Sequence, residues 1–334
     1  REALLHAGLE MDKDTGPRTA CLVGSALNGT DAFRVAMDNY INKGPFKVSP
    51  YLLPNLCANL PSGKAGMALK FSGPVFSPQG ACASGNYAFG LGARMIRDGD
   101  CDFVLAGGVD TCLIPEIIHG FENMNATIKI LPEDRAYDNP DLASRPFSID
   151  RKGFVLSEGA GVLVLAAEEM LSVYGLKPKA EVLGVGWSSD AYHFTRPNPD
   201  TVTRAIREAI DDAGLSPEDI QYVNTHGTST PRGDTAEVDC LRRVFQGHLE
   251  KMPISSNKSQ IGHTLGAAAA IEGALSIEAM RQGVVLPTIN HIPDPAFDGV
   301  DVVPNKTRKM RHDIFLSNAF GFGGTNCCVV FRGC

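Results

Sequence analysis

Three residues carry the types and settings that carbon–carbon bond formation requires. Cys82 stands where the apolar pair Val75-Phe76 gives way, through Ser77-Pro78-Gln79-Gly80-Ala81, to a small-residue helix predicted from about Ala83 to Arg97. A cysteine at a helix N-terminus feels the positive end of the helix dipole, which favours thiolate over thiol. Far downstream, His226 sits within Asn224-Thr225-His226-Gly227-Thr228-Ser229-Thr230, and His263 closes Lys258-Ser259-Gln260-Ile261-Gly262-His263. A thiolate can hold an acyl group while two imidazoles stabilise a second anion. A decarboxylating condensation needs that division of labour, so the chain reads as an enzyme. Glu272 falls with Leu265, Ala268 and Ala269 on the apolar side of a helix predicted to begin near Leu265, away from Glu278 and Gln282. A carboxylate on a buried face wants a cationic partner.

The elements that must position these groups repeat. Arg1-Glu2-Ala3 with Ala7-Gly8-Leu9 matches Arg207-Glu208-Ala209 with Ala213-Gly214-Leu215 at one offset. Both read as helix ends stopped by a left-handed glycine, and β-rich segments follow, Thr19 to Gly24 and Ile220 to Asn224. Later, Cys82 leads into a helix ending Arg97-Asp98-Gly99 and a strand from Phe103 to Ala106. His263 leads into a helix ending Arg281-Gln282-Gly283 and an extended run from Val284. Two halves that alternate strand and helix predict an α/β fold with pseudo-twofold symmetry, divided as 1–168 and 178–334. The second copy has strands and a helix start near Asp200 before its Arg-Glu-Ala, whereas the first begins in mid-helix; a leader is therefore expected to be missing from the front. Gly85, Gly90 and Gly92 predict a helix with another backbone pressed against it in a central layer. Asp234-Thr235-Ala236-Glu237 reads as a helix-capping signal. Gly321-Phe322-Gly323-Gly324 reads as a sharp turn between extended runs that brings backbone N–H groups to a ligand.

Bulk properties narrow the function. The chain has 334 residues, 43% hydrophobic and 21% charged, enough for a large core. A net charge of -7 gives no reason to expect nucleic acid or an anionic membrane as partner. An acidic carrier protein could still dock on a local basic patch. The longest clear apolar run, Val162 to Ala167, falls far below the roughly 18 residues of a membrane span. Nine irregularly spaced cysteines, with no C-x-x-C pair and no H-E-x-x-H, argue against a metal site and a disulfide framework. A reducing compartment fits that usage.

These residues resemble the β-ketoacyl-acyl-carrier-protein synthases of the thiolase-like superfamily. The resemblance is carried by Gly80-Ala81-Cys82-Ala83-Ser84-Gly85, Asp102 to Gly108, Ser144-Arg145-Pro146-Phe147 and Gly153 to Gly161. It continues through His226-Gly227-Thr228-Ser229-Thr230, Lys258 to His263 with Gly266-Ala267-Ala268, and Asn318 to Asn326. It covers nearly the whole chain and implies a five-layer αβαβα sandwich of two pseudo-symmetric halves. Thiolases use a second cysteine near the C-terminus, where this chain has Phe320-Gly321-Phe322-Gly323-Gly324. Starter-unit synthases pair one histidine with an asparagine, so the elongating two-histidine subtype is implied.

By that resemblance Cys82 is the acyl-bearing nucleophile, and its N–H and that of Phe322 form the oxyanion hole, with Phe322 also a gate. His226 and His263 stabilise the enolate left when carbon dioxide departs from malonyl-acyl carrier protein. Lys258 pairs with Glu272 to hold the histidine region, and Thr228 and Thr230 bind the carrier's pantetheine arm. Gly107-Gly108-Val109-Asp110 departs mildly from the family's usual Gly-Gly-Thr-Glu. The resemblance implies no metal or separate cofactor, the substrates arriving on the phosphopantetheine of acyl carrier protein, and a homodimer. It implies a bacterial cytoplasm, or a plastid or mitochondrial matrix in a eukaryote, and not secretion. Fatty-acid elongation is the leading expectation. A type II polyketide ketosynthase shares every residue named, and a non-catalytic chain-length-factor-like partner usually lacks the cysteine. An acyl-binding carrier without turnover leaves the histidines and Lys258 unexplained.

Overall fold

Apolar runs such as Thr19–Gly24 and Phe103–Asp110 form strands buried on both faces, and the helices between strands cover those faces. The computed structural model describes residues 1–10, 12 and 14–334. The first sheet holds β1 (Thr19–Gly24), β2 (Phe103–Asp110) and β3 (Gly159–Ala166) in that order. β1 runs parallel to β2 with Thr19 opposite Phe103, and β3 is antiparallel to β2. Further on come β4 (Ala180–Ser189), β5 (Tyr222–Asn224), β6 (Ile254–Ser255), β7 (Val284–Val285), β8 (Arg308–Lys309), β9 (Ile314–Gly321) and β10 (Thr325–Gly333). The second sheet has the order β4-β10-β9-β5-β6.

Between the sheets lie the helices Ser84–Arg97 and Ala268–Arg281, each touching strands of both. Helices Glu2–Ala7 and Leu60–Leu69 cover the outer face of the first sheet; Pro199–Asp212 covers the second, with Pro231–Phe245 packed beside it. The result is the predicted helix–sheet–helix–sheet–helix sandwich. Phe89, Val104, Phe315 and Phe331 fill the space between the sheets, while Ile206, Ile210, Leu241 and Leu316 fill the outer layer of the second half.

The two halves correspond strand for strand: β1 with β5, β2 with β9, β3 with β10. Each first pair is parallel and each second pair antiparallel. The short 3-10 turn Ala81–Ala83 before the first central helix has its counterpart in Leu265–Ala267 before the second. Both turns open on a residue with positive φ, Ala81 at 49° and Leu265 at 50°. The residue matching Cys82 is therefore Gly266, not His263. Both predicted helix stops have left-handed glycines, Gly8 at 70° and Gly214 at 68°. One expectation fails: the run from Val284 is only the two-residue β7, paired with β8 outside both main sheets. Pro287, Pro293, Pro295 and Pro304 interrupt the segment that follows, and prolines cannot donate to a ladder. The true counterpart of β2 is β9.

The central helix Ser84–Arg97 is confined on three sides, as its glycines foretold. Gly90 faces Val185 and Trp187 of one sheet, Gly92 faces Val104 and Leu165 of the other, and Gly85 meets the second central helix. A methyl carbon at Gly85 would lie 2.5 Å from the backbone nitrogen of Ala270, which cannot swing aside. Gly85→Ala is therefore expected to cost about 1–3 kcal/mol despite the better helix propensity of alanine. A denaturant midpoint equal to or above wild type would contradict the close approach.

Candidate active site

The nucleophile's position follows from a strained turn. Ala81 takes positive φ without being glycine, and the loop is held from both sides. Thr325 donates its hydroxyl to the Gly80 carbonyl at 2.8 Å, and the Gly80 N–H donates to Ser84 Oγ at 3.0 Å. Cys82 is buried at the head of its helix. Burial pushes its thiol up to about 12; Lys258 and the N–H groups of Phe322 and of Cys82 itself pull the other way, and Asp110 adds to the rise. Burial thus works against the expected thiolate and favours the neutral thiol.

His226 follows β5 on a loop that two acids hold. Glu237 accepts the N–H of His226 at 2.8 Å and of Gly227 at 2.7 Å, and also Asn318 Nδ2 at 3.2 Å. Asp234 accepts the N–H of Ser229 at 3.1 Å and of Phe147 at 2.8 Å. This corrects the capping expectation. The helix Pro231–Phe245 starts earlier, with Thr230 as its N-cap accepting the Gly233 N–H, so Asp234 and Glu237 are free to turn inward. Burial raises the Asp234 carboxyl to about 7 and pushes Glu237 up too.

His263 is fixed by its backbone, donating to Val155 O at 2.7 Å and accepting from the Ser157 N–H at 3.0 Å. Its ring stands edge-on to Phe154, centroids 5.1 Å apart. The two imidazoles lie 5.6 Å apart at 84° to one another. Burial first, and then the charge of Lys258, holds both well below the usual histidine range. They are neutral at pH 7. Lys258 Nζ donates to Glu272 Oε1 at 2.7 Å with both side chains 1% exposed, so the buried carboxylate has the cation it required. Burial drives the Glu272 carboxyl up while Lys258 opposes it.

Cys82, His226, His263, Thr228, Thr230 and Phe322 all line one cavity of about 890 Å³. Lys258 and Glu272 lie outside its lining, forming a charged pair behind it. Thr228 and Thr230 bring their hydroxyls within 3.0 Å of each other. Phe322 approaches Phe121, centroids 6.3 Å apart. The sequence reading missed Asp234 and Glu237 as supports of the histidine loop. Two acids directly after that loop were visible in the sequence, but nothing local showed that they turn back to its N–H groups. Among the described residues no group of three or more His, Cys, Asp or Glu is placed to hold a metal ion, and no helix is long and apolar enough to cross a membrane.

A two-half αβαβα sandwich with a cysteine, two neutral histidines and a glycine-rich turn around one cavity defines a thiolase-like condensing enzyme. Residues 1–170 match the beta-ketoacyl synthase N-terminal domain and residues 179–291 the C-terminal domain, and the chain belongs to that family. It is 39% identical over 333 residues to 3-oxoacyl-[acyl-carrier-protein] synthase 2 of Coxiella burnetii, covering 99% of this chain and 79% of that protein. A beta-ketoacyl synthase from Burkholderia phymatum superposes with a TM-score of 0.91 at 34% identity, covering 99% of this chain and 79% of that one. So does the complex of a type II polyketide acyl-carrier protein with its ketosynthase bound to the hexaketide, at TM-score 0.91 and 29% identity, covering 97% and 80%.

Because thiolate is the reactive form, alkylation of Cys82 by iodoacetamide is expected to rise about tenfold per pH unit from neutrality well into the alkaline range. Peptide-level mass spectrometry would read it. A plateau near pH 7 would show that the dipole, not burial, governs this thiol.

Proposed function

We propose that this chain catalyses the decarboxylating Claisen condensation of an acyl group on Cys82 with malonyl-acyl carrier protein, as in fatty-acid elongation. The observation that carries this reading is the pair of neutral, mutually perpendicular imidazoles sharing a cavity with a buried thiol. In the first half-reaction the Cys82 sulfur attacks the carrier-bound acyl carbonyl. The N–H groups of Phe322 and Cys82, which already act on the sulfur, receive the oxyanion. A neutral imidazole takes the thiol proton and returns it to the departing carrier thiol.

In the second half-reaction His226 and His263 donate hydrogen bonds to the malonyl thioester carbonyl. The bond to the carboxylate carbon breaks, carbon dioxide leaves, and its electron pair becomes an enolate. The enolate carbon attacks the acyl-Cys82 carbonyl, and collapse of that adduct expels the Cys82 thiolate, which a proton from solvent returns to the resting thiol. A 3-oxoacyl carrier two carbons longer departs. Only a neutral imidazole serves here without competing for the substrate's negative charge, and burial first, then the charge of Lys258, favours that form in both. The pair Lys258–Glu272 is read as a positioning group, with the halves 1–168 and 178–334 supplying nucleophile and histidines respectively.

An acyl carrier protein is the proposed partner, with Thr228 and Thr230 along its pantetheine arm. Lys152, Arg196 and Arg232, all solvent-exposed, line the same cavity and offer an acidic carrier a local basic rim on a chain of net charge -7. The carrier-borne substrates need no separate cofactor. Higher identity to the 3-oxoacyl-[acyl-carrier-protein] synthase 2 than to the polyketide complex favours elongation, and the presence of Cys82 opposes a non-catalytic chain-length-factor role. Nine free cysteines fit a reducing compartment such as a bacterial cytoplasm.

A second copy of the chain is the proposed cover for the segment 33–53. There Phe33, Tyr40, Phe46, Tyr51 and Leu53 are 50%, 53%, 98%, 70% and 73% exposed. Light scattering at micromolar concentration is expected to give twice the chain mass; a strict monomer would remove this part of the reading. Cys82→Ala is expected to show no acyl adduct by intact mass and no condensation. His263→Ala should still load acyl groups while condensation falls by about 10²–10³. Equal loss of loading and condensation in His263→Ala would sink the enolate role.

A further inference from the structure

Part of the cavity wall is governed by a carboxylate that the mechanism leaves unused. Asp110 ends β2 and is 2% exposed. Its Oδ1 accepts the Ser25 hydroxyl at 2.7 Å and the Leu27 N–H at 3.0 Å. Its Oδ2 accepts the Ala26 N–H at 2.9 Å, with Ala26 also 3.2 Å from Oδ1, and the Gly266 N–H at 2.6 Å. One side chain thus gathers the loop after β1 and the turn before the second central helix. Neither backbone stretch has a strand or helix partner for these N–H groups, so their positions are set by where the carboxylate oxygens stand.

Those two stretches face the nucleophile. Leu27 and Leu265 line the cavity with Cys82, and they pack with Cys82 and Cys112 in one apolar cluster that Phe121 and Leu156 complete. The backbones already touch: a methyl carbon at Gly266 would lie 2.6 Å from the Ala26 nitrogen and 2.7 Å from Asp110 Oδ2. Slack is absent, so a change in carboxylate reach must move the walls.

We propose that Asp110 is the specificity-determining positioning residue of the acyl site, its carboxylate setting how near the Leu27 and Leu265 walls stand to Cys82. This rests on Cys82 as the acyl acceptor. Lengthening the side chain by one methylene shifts the collecting oxygens by about 1.5 Å, one carbon–carbon bond. The walls then follow their N–H groups outward and admit longer acyl chains. An amide in place of the carboxylate presents N–H to N–H and releases the loop.

The test uses the full chain with short and long saturated acyl-carrier proteins, and reads acyl-Cys82 formation by intact mass. For Asp110→Glu the ratio of long-chain to short-chain loading rates is expected to rise about tenfold over wild type, the scale of a one-methylene change in an apolar pocket. For Asp110→Asn the discrimination present in wild type is expected to flatten. A ratio does not depend on how much protein is folded, so a merely structural role would leave it unmoved. Wild-type ratios in both variants, with loading intact, overturn the proposal alone. Failure of wild type to form any adduct overturns the condensation reading and this proposal with it. Should both variants fail to fold, amide exchange in the unaltered protein decides. Strong protection of the Ala26, Leu27 and Gly266 N–H groups supports the clamp, and exchange at open-loop rates overturns it.

Discussion

The two central helices approach so closely at Gly85 and Ala270 that their N-terminal turns are locked side by side. That contact joins the halves of the chain, because one helix begins just after Cys82 and the other just after Gly266. Both turns contain a left-handed, non-glycine residue, and both spend their first backbone groups on tertiary partners instead of water. A pocket assembled from residues this distant in sequence needs such a rigid reference. The helix pair supplies it, and the sheets above and below prevent it from sliding.

Around that reference, buried acids act as structural acceptors. Glu237 and Asp234 hold the loop bearing His226, and Asp110 holds the backbone that carries Leu27 and Leu265. Each takes backbone N–H groups that would otherwise be stranded in an apolar interior, where an unsatisfied donor costs about 1–3 kcal/mol. Glu272 has a cation at hydrogen-bond distance, Lys258 at 2.7 Å, whereas Asp234 has Arg151 at 3.7 Å; among the described residues the second oxygen of Glu272 and His263 Nδ1 have no hydrogen-bond partner. The positive charge of Lys258 is thereby confined to the region behind the imidazoles, where it depresses their basicity without occupying the cavity.

The proposed reacting groups were legible because each combined a chemically capable type with glycine-marked surroundings, and Glu272 because a charge on an apolar helix face demands a partner. The layered fold was legible from repeated helix stops at Gly8 and Gly214 and from the glycines of the helix Ser84–Arg97. What stayed hidden were interactions with backbone. Nothing in the local pattern says that Glu237 reaches the His226 N–H or that Asp110 reaches Gly266, since donors of that kind have no side-chain signature. For the same reason Asp234 passed for a cap while Thr230 held that position. The mispairing of β2 with the run from Val284 arose because sequence order stood in for sheet order; a proline-rich detour separates the second central helix from β9.

Burial also resolves an apparent conflict between a thiol held near 12 and a reaction that needs sulfur as nucleophile. A permanently charged thiolate in this cavity would repel the malonyl carboxylate and would favour protonating both imidazoles. With the thiol and the imidazoles all neutral at rest, the cavity is prepared for an anion it does not yet contain. In the proposed reaction negative charge then develops only on atoms that face the Phe322 and Cys82 N–H groups or the imidazoles. In a dry site, donors fixed in advance stabilise such transient charge more than water could, because no solvent must reorganise. On the proposed reading the cost of a charged, desolvated sulfur is met only while the thiolate forms and attacks. Acyl transfer then removes that charge, leaving the same donors to serve the second anion.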